Sequence, residues 1–183
     1  MLTSRASFLY KFILHPQQIG SVTPSSSFLI KKALSNIPWD NVDTLIELGA
    51  GNGVFTEVIA KNKKNSCQVL IVEKDYQMRK TLQANYPTFF YGSKAEKLDW
   101  LLKHYEMPQV DCIISGLPFS IFPEALRNSI MDVINESLKP GGIYIGYQYT
   151  LQMKNILKRY FHEVNVHFVP MNLPPAFIFC CKK

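Results

Sequence analysis

The sequence has no Cys-x-x-Cys pair, and no histidine cluster stands beside its four cysteines, Cys67, Cys112, Cys180 and Cys181. That spacing argues against the familiar tetrahedral zinc arrangements. No apolar run approaches the roughly 20 residues that a membrane-spanning helix needs. The apolar, weakly basic start, Met1 to Leu14, is followed by no small-residue cleavage site, so no signal peptide is expected. Repeats and low-complexity tracts are also missing, and Cys180 and Cys181 read as small apolar residues closing a terminal strand. A reducing cytosol is the expected setting. Acidic residues are in short supply: 14 against 20 Lys and Arg, for a formal net charge of +6. The excess suggests an anionic partner, nucleic acid or an acidic membrane surface, without choosing between them.

What is present is a core. Hydrophobic residues make up 47% of the 183 residues and aromatics 13%, enough for one domain but cramped for two. From Thr44 onward, short β-branched runs alternate with longer helical patterns. Strands are predicted over Thr44–Leu48, Gln68–Glu73, Thr88–Tyr91, Val110–Ser115, Ile143–Tyr149, Val164–Val169 and Ala176–Cys181. Helices are predicted over Val54–Lys61, Tyr76–Asn85, Glu96–Tyr105, Pro123–Leu138 and Leu151–Tyr160. Such alternation gives an α/β fold, a mostly parallel seven-stranded sheet with helices on both faces. The last two strands have no helix between them and should pair antiparallel. Residues 1–40 form a preceding helical segment, broken at His15-Pro16 and near Thr23-Pro24, and residues 41–183 form the core of the same single domain.

The most informative stretch is Leu45-Ile46-Glu47-Leu48-Gly49-Ala50-Gly51-Asn52-Gly53. A strand ends, glycines turn the chain, and a helix opens at Val54; a ligand can approach such a turn closely because no Cβ intervenes. The dinucleotide fingerprint Gly-x-Gly-x-x-Gly would need glycine where the chain has Val54. Instead the pattern is Glu-x-Gly-x-Gly-x-Gly. A carboxylate at Glu47 suits a cationic ligand better than a pyrophosphate, and the sulfonium and ammonium of S-adenosylmethionine fit it. Glu73 ends the second strand about 20 residues on, where a ribose-binding acid belongs.

These residues resemble the Rossmann-like class I methyltransferases, in which glycines matching Gly49, Gly51 and Gly53 wrap the cofactor and the residue matching Glu73 holds the ribose hydroxyls. An acidic residue in a Gly-Asp-Ala setting usually meets the adenine there, whereas this chain has Gly92-Ser93-Lys94-Ala95. A Ser93 hydroxyl or a backbone carbonyl would have to accept that hydrogen bond. After the fourth strand comes Ser115-Gly116-Leu117-Pro118-Phe119. Adenine N6-methyltransferases, ribosomal RNA dimethylases among them, carry an Asn where this chain has Gly116, and an aromatic that stacks on the flipped base. The aromatic is here; the amine-steering carboxamide is not.

Ser-Gly-Leu-Pro-Phe resembles instead the bacterial phosphatidylethanolamine N-methyltransferases. So do Ile19-Gly20-Ser21-Val22-Thr23-Pro24-Ser25-Ser26, Glu124-Ala125-Leu126-Arg127, Pro140-Gly141-Gly142 before a strand ending in Tyr149, and Asn172-Leu173-Pro174-Pro175-Ala176. The resemblance implies S-adenosylmethionine as cofactor, with contacts at Thr23, Glu47, Gly49, Gly51, Asn52, Gly53, Glu73, Lys74, Ser93 and Ser115. On the substrate side it points to Ser115, Gly116 and Tyr149, whose ring could hold a methylated ammonium by cation–π attraction. The implied reaction is N-methylation of the ethanolamine head group of phosphatidylethanolamine. The implied place is cytoplasmic, peripheral to the inner face of the cell membrane. Ser4 to Leu14 set Phe8, Leu9, Phe12 and Ile13 on one helical side beside Arg5 and Lys11, a pattern able to lie on an anionic membrane surface. Two other readings stand beside this one: a ribosomal RNA adenine N6-methyltransferase, which the basic charge would also suit, and a non-catalytic membrane- or RNA-binding module with a degenerate cofactor pocket. Nothing in the sequence sets an oligomeric state.

Overall fold

A computed structural model describes residues 25–107, 109–172 and 174–183. The expectations placed on Ser4–Leu14 and on Thr23 lie outside the described residues. The seven strands are β1 (Thr44–Leu48), β2 (Gln68–Val72), β3 (Phe90–Gly92), β4 (Val110–Ser115), β5 (Leu138–Gln148), β6 (Glu163–Val169) and β7 (Ala176–Lys182). They form one sheet in the order β3-β2-β1-β4-β5-β7-β6. β1 to β5 pair in parallel; β7 lies antiparallel between β5 and β6. This is the expected Rossmann-like architecture.

Period-two alternation along the strands sorts the core into two layers. Leu45, Val69, Ile71, Cys112 and Ile114 face one side, where helices α1 (Ser25–Leu34), α2 (Val54–Asn62) and α3 (Tyr76–Asn85) cover them with Leu29, Ile30, Ile59 and Leu82. Ile46, Leu48, Leu70, Val72 and Ile113 face the other. There α4 (Leu98–His104), α5 (Glu124–Ser137) and α6 (Met153–Tyr160) contribute Leu98, Leu101, Ile130, Met131, Ile134 and Leu157. All five residues of β1 are buried. A strand covered on both faces has no room for polar side chains, so Thr44 and Glu47 within it call for a reason.

Thr44 has a structural one. Asp111 accepts hydrogen bonds at Oδ2 from the Asp43 and Thr44 amides, each 2.9 Å, and from Thr44 Oγ1 at 3.0 Å, while Lys139 Nζ lies 2.6 Å from its Oδ1. The network ties β1, β4 and β5 together at the amino end of the sheet, far from the site described below.

Two segments differ from expectation. Pro140-Gly141-Gly142 is not a turn outside the sheet: β5 begins at Leu138 and carries the three residues as an irregularity, its register shifting between Val110 and Cys112 of β4. Gly141 takes φ +76, and the chain end fastens the detour, Gly141 N–H donating to Lys183 O and Lys183 N–H to Gly142 O. The helix expected over Glu96–Tyr105 divides into a turn of 3-10 helix at Ala95–Lys97 and α4 proper. Gly92 lets α4 come this close, since a Cβ there would stand 2.4 Å from Leu101 Cδ1.

Candidate functional site

The sheet register lines up the site. Leu48 pairs with both Val72 and Ser115, Val72 with Gly92, and Ser115 with Gly146, so these residues make one row across five strands. The next residue of each strand, Gly49, Glu73, Ser93, Gly116 and Tyr147, therefore stands at the carboxyl edge beside its neighbours. Three amides extend the ladder one step: Gly49 N–H to Val72 O, Glu73 N–H to Gly92 O and Gly116 N–H to Leu48 O, at 2.7–3.0 Å. Strand order reverses at β1, the position where ligands settle against the carboxyl ends of open α/β sheets.

The glycine turn is conformationally committed, with Gly49, Gly51 and Gly53 at φ +76, +56 and +86. An L side chain resists that region, but the three differ in what a side chain would meet. At Gly53 a Cβ would lie 2.5 Å from Leu82 Cδ2 and at Gly49 3.1 Å from Leu117 Cδ2, so these two are needed for packing. At Gly51 a Cβ would meet nothing within 4 Å among the described residues. That open space above the turn suits a ligand, and α2 begins directly after it, presenting its first amides.

Glu73 closes the turn from the side. Its Oε2 accepts from the Gly51 amide at 2.7 Å and its Oε1 from the Asp75 amide at 2.8 Å. Each oxygen keeps a further lone pair for a donor such as a ribose hydroxyl. Asp75 caps α3 by accepting from the Met78 amide, and Arg79 Nη1 donates to Glu73 O at 2.6 Å, fixing the strand-to-helix turn. The sequence reading missed Arg79, although its place one turn into α3 allows it to reach back. Lys74, Ser93 and Asn52 all stand exposed at the edge.

Glu47 is 2% exposed, and its only hydrogen-bond donor among the described residues is Thr56 Oγ1, 2.6 Å away. Burial pushes its carboxyl up to about 7; the Thr56 hydrogen bond opposes the shift and the neighbouring Glu73 charge adds to it. A carboxylate held in such a place, with no cation beside it among the described residues, is costly to ionise, and a cationic ligand would lower that cost.

On the far side of the turn lies Gly116. A Cβ there would stand 3.0 Å from Gly49 O and 3.2 Å from Tyr147 Oη, so the backbone is closely hemmed on this side. The Tyr147 ring stacks on Phe55 of α2, centroids 5.5 Å apart and planes at 4°. Tyr149, the expected substrate-side residue, lies just past β5, half-buried against the same apolar layer as Tyr147, and burial raises its phenol. Ser115 is wholly buried. Its Oγ accepts from the Leu117 amide at 3.3 Å, so it shapes the Gly116–Leu117 turn from behind. Gln148 Nε2 supports the same turn by donating to Leu117 O at 2.9 Å. Phe119 has no exposed surface; it packs edge-on to Phe122 in the core and cannot stack on a base from there.

A turn with room over Gly51, a carboxylate at the second strand end and a buried carboxylate awaiting a cation form a set that fits S-adenosylmethionine. Comparison with known proteins agrees. A sequence model described as the methyltransferase small domain matches residues 20–169. The chain belongs to this methyltransferase family. It is 34% identical over 180 residues to the ornithine lipid N-methyltransferase of Singulisphaera acidiphila, covering 96% of this chain and 94% of that one. A probable ribosomal RNA small subunit methyltransferase A of Thermococcus kodakarensis is 27% identical over 119 residues, 63% of this chain and 39% of that one. Among solved structures, the N-methyltransferase NodS of Bradyrhizobium japonicum superimposes with a TM-score of 0.72 at 13% identity, over 88% of this chain and 98% of that one, and it has also been solved with S-adenosylhomocysteine. The methyltransferase therefore uses S-adenosylmethionine, on a fold shared well beyond sequence similarity. No helix among the described residues is long and apolar enough to cross a membrane.

Proposed function

We propose that this methyltransferase N-methylates the primary amine of a membrane-lipid head group, either the ethanolamine of phosphatidylethanolamine or the amine of an ornithine lipid. The observation that carries the reading is Gly116. A residue with a carboxamide would be needed there to steer an adenine amine, and a Cβ already 3.0 Å from Gly49 O and 3.2 Å from Tyr147 Oη would crowd one. The burial of Phe119 removes the stacking partner that the RNA reading also requires. Near end-to-end likeness to a lipid N-methyltransferase supports the same choice.

S-adenosylmethionine supplies, when bound, an electrophilic methyl carbon on a cationic sulfur. The chain's part is placement: the turn over Gly51 and the Glu73 carboxylate fix the adenosyl end, with Lys74, Ser93 and Asn52 beside it, while Glu47 favours the positive end. Holding amine and methyl within reach accounts for much of the acceleration of such a transfer. The amine arrives protonated near neutral pH and loses its proton to water before attack. On this reading the half-buried ring of Tyr149 receives the methylated ammonium by cation–π attraction.

Access to a bilayer fits the exposed surface. Tyr76, Ile121, Leu151 and Met171 are large apolar or aromatic residues left exposed, and they follow β2, β4, β5 and β6 at the same carboxyl edge as the site. Peripheral contact through this edge, aided by Phe8 and Phe12 of the N-terminal stretch, would bring a head group to the cleft. The test offers labelled S-adenosylmethionine with liposomes of phosphatidylethanolamine, liposomes of ornithine lipid, and unmodified ribosomal RNA. Label in either lipid extract is expected. Label in RNA alone would overturn the reading, and absence of cofactor binding would favour a non-catalytic module.

A further inference from the structure

We propose that the Tyr147 hydroxyl is the group that holds the substrate amine, and that Gly116 is glycine because this hydroxyl occupies the place of a side chain at 116. The proposal rests on the amine reading above and extends it to a second tyrosine, within β5 and two residues before Tyr149. A point at bonding distance from the Gly116 Cα lies 3.2 Å from Tyr147 Oη and 3.0 Å from Gly49 O. The polar atoms that the turn after β4 fails to provide from its own side chain are thus provided by β5 and by the glycine turn. They converge where β1, β4 and β5 end side by side.

The ring is built to be held still. Phe55 stacks on it almost coplanar, and it packs against the apolar layer of α1 and α2. Its hydroxyl makes no hydrogen bond among the described residues, although the ring around it is well packed. Burial, then the nearby Tyr149 and Glu47, push the phenol far above its ordinary value, so it stays protonated and does not serve as a base. A neutral hydroxyl still has lone pairs that accept an N–H from the amine. With one N–H held by Tyr147 Oη and another able to reach Gly49 O, the nitrogen lone pair is left for the methyl carbon. The nitrogen–carbon bond forms as the carbon–sulfur bond breaks, the electron pair staying on sulfur, and the new ammonium releases a proton to water.

The test compares Tyr147→Phe, which keeps the ring and its stack on Phe55, with the wild-type protein. A methyl acceptor is first identified for the wild-type protein from the two liposomes, ribosomal RNA and a panel of free primary amines. On that acceptor, Tyr147→Phe is expected to lower kcat about 10- to 100-fold while the thermal midpoint and the calorimetric affinity for S-adenosylhomocysteine stay unchanged. Acceptor affinity measured with S-adenosylhomocysteine bound, a readout free of turnover, should also fall. Gly116→Ala should repeat the loss on its own, and combining it with Tyr147→Phe should add little. Wild-type rate and acceptor affinity in Tyr147→Phe would overturn the proposal. Absence of label in both liposomes with label in a free amine would overturn the lipid reading alone, since Tyr147 is still judged on the amine; methylation of nothing in the panel would overturn both.

Discussion

Glu47 is expected to link stability, cofactor affinity and pH in one residue. Its folded carboxyl titrates near 7 against 4.5 for an ordinary glutamate. Between those values the folded chain keeps a proton that the unfolded chain has lost, so stability is greatest below about 4.5 and falls as pH rises through about 7. The shift corresponds to about 3 kcal/mol. For a domain whose total stability is about 5–15 kcal/mol that is a large share. Glu47→Gln keeps an oxygen to accept from Thr56 Oγ1 but cannot ionise. The variant should therefore lose this slope and be more stable than wild type at pH 8. A cation bound nearby favours the ionised carboxyl, so the wild-type affinity for S-adenosylmethionine should strengthen as pH rises toward 7 and level off above it. Glu47→Gln should bind more weakly at pH 8 with a flat profile. Denaturation curves and titration calorimetry at half-unit steps from pH 5 to 8 read both effects. A variant that loses stability with pH as the wild type does, and binds the cofactor as tightly, would refute the argument.

Gly51→Val and Gly53→Val separate ligand space from packing space. The first should abolish S-adenosylhomocysteine binding in calorimetry at a cost in stability of about 1–3 kcal/mol for the strained φ, whereas the second should mainly destabilise by driving against Leu82. Asp111→Asn should cost about 2–3 kcal/mol in denaturant titrations by weakening the ties to Lys139 and Thr44. The wild-type Asp111 carboxyl, partly buried yet held below its ordinary value by Lys139 and three donors from Asp43 and Thr44, contributes its stability at neutral pH and loses it as pH falls through that lowered value. Cofactor affinity should not change in Asp111→Asn, because the network lies at the amino end of the sheet.

The parts of the site made by local turn chemistry were legible in the sequence. Gly49 to Gly53 announce a tight turn whatever surrounds them, and Glu73 announces itself by ending an apolar strand. Alternation of strands and helices was enough to give the sheet, because each element's periodicity is its own. What could not be read depends on partners distant along the chain. Pro140-Gly141-Gly142 looks like the end of a segment, and only pairing with Lys183 keeps it inside β5. Phe119 sits in a loop with no periodicity to say that it is buried, so its likeness to a base-stacking aromatic was misleading.

Tyr147 and Tyr149 show the limit most sharply. Both point to the face of the sheet that carries Glu47, and period-two parity cannot distinguish them. Register does: Gly146 stands opposite Ser115, which sets Tyr147 beside Gly116 and carries Tyr149 two residues further toward the rim. The difference of about 6–7 Å along the strand separates the hydroxyl proposed to hold the amine from the ring proposed to receive its methylated product. The same register explains Gly116 itself. In a sheet edge where a tyrosine of the fifth strand stands 3.2 Å from the place of a Cβ on the fourth, a side chain after β4 is crowded, and on the proposal above the contact to the amine passes from the residue after β4 to Tyr147 within β5.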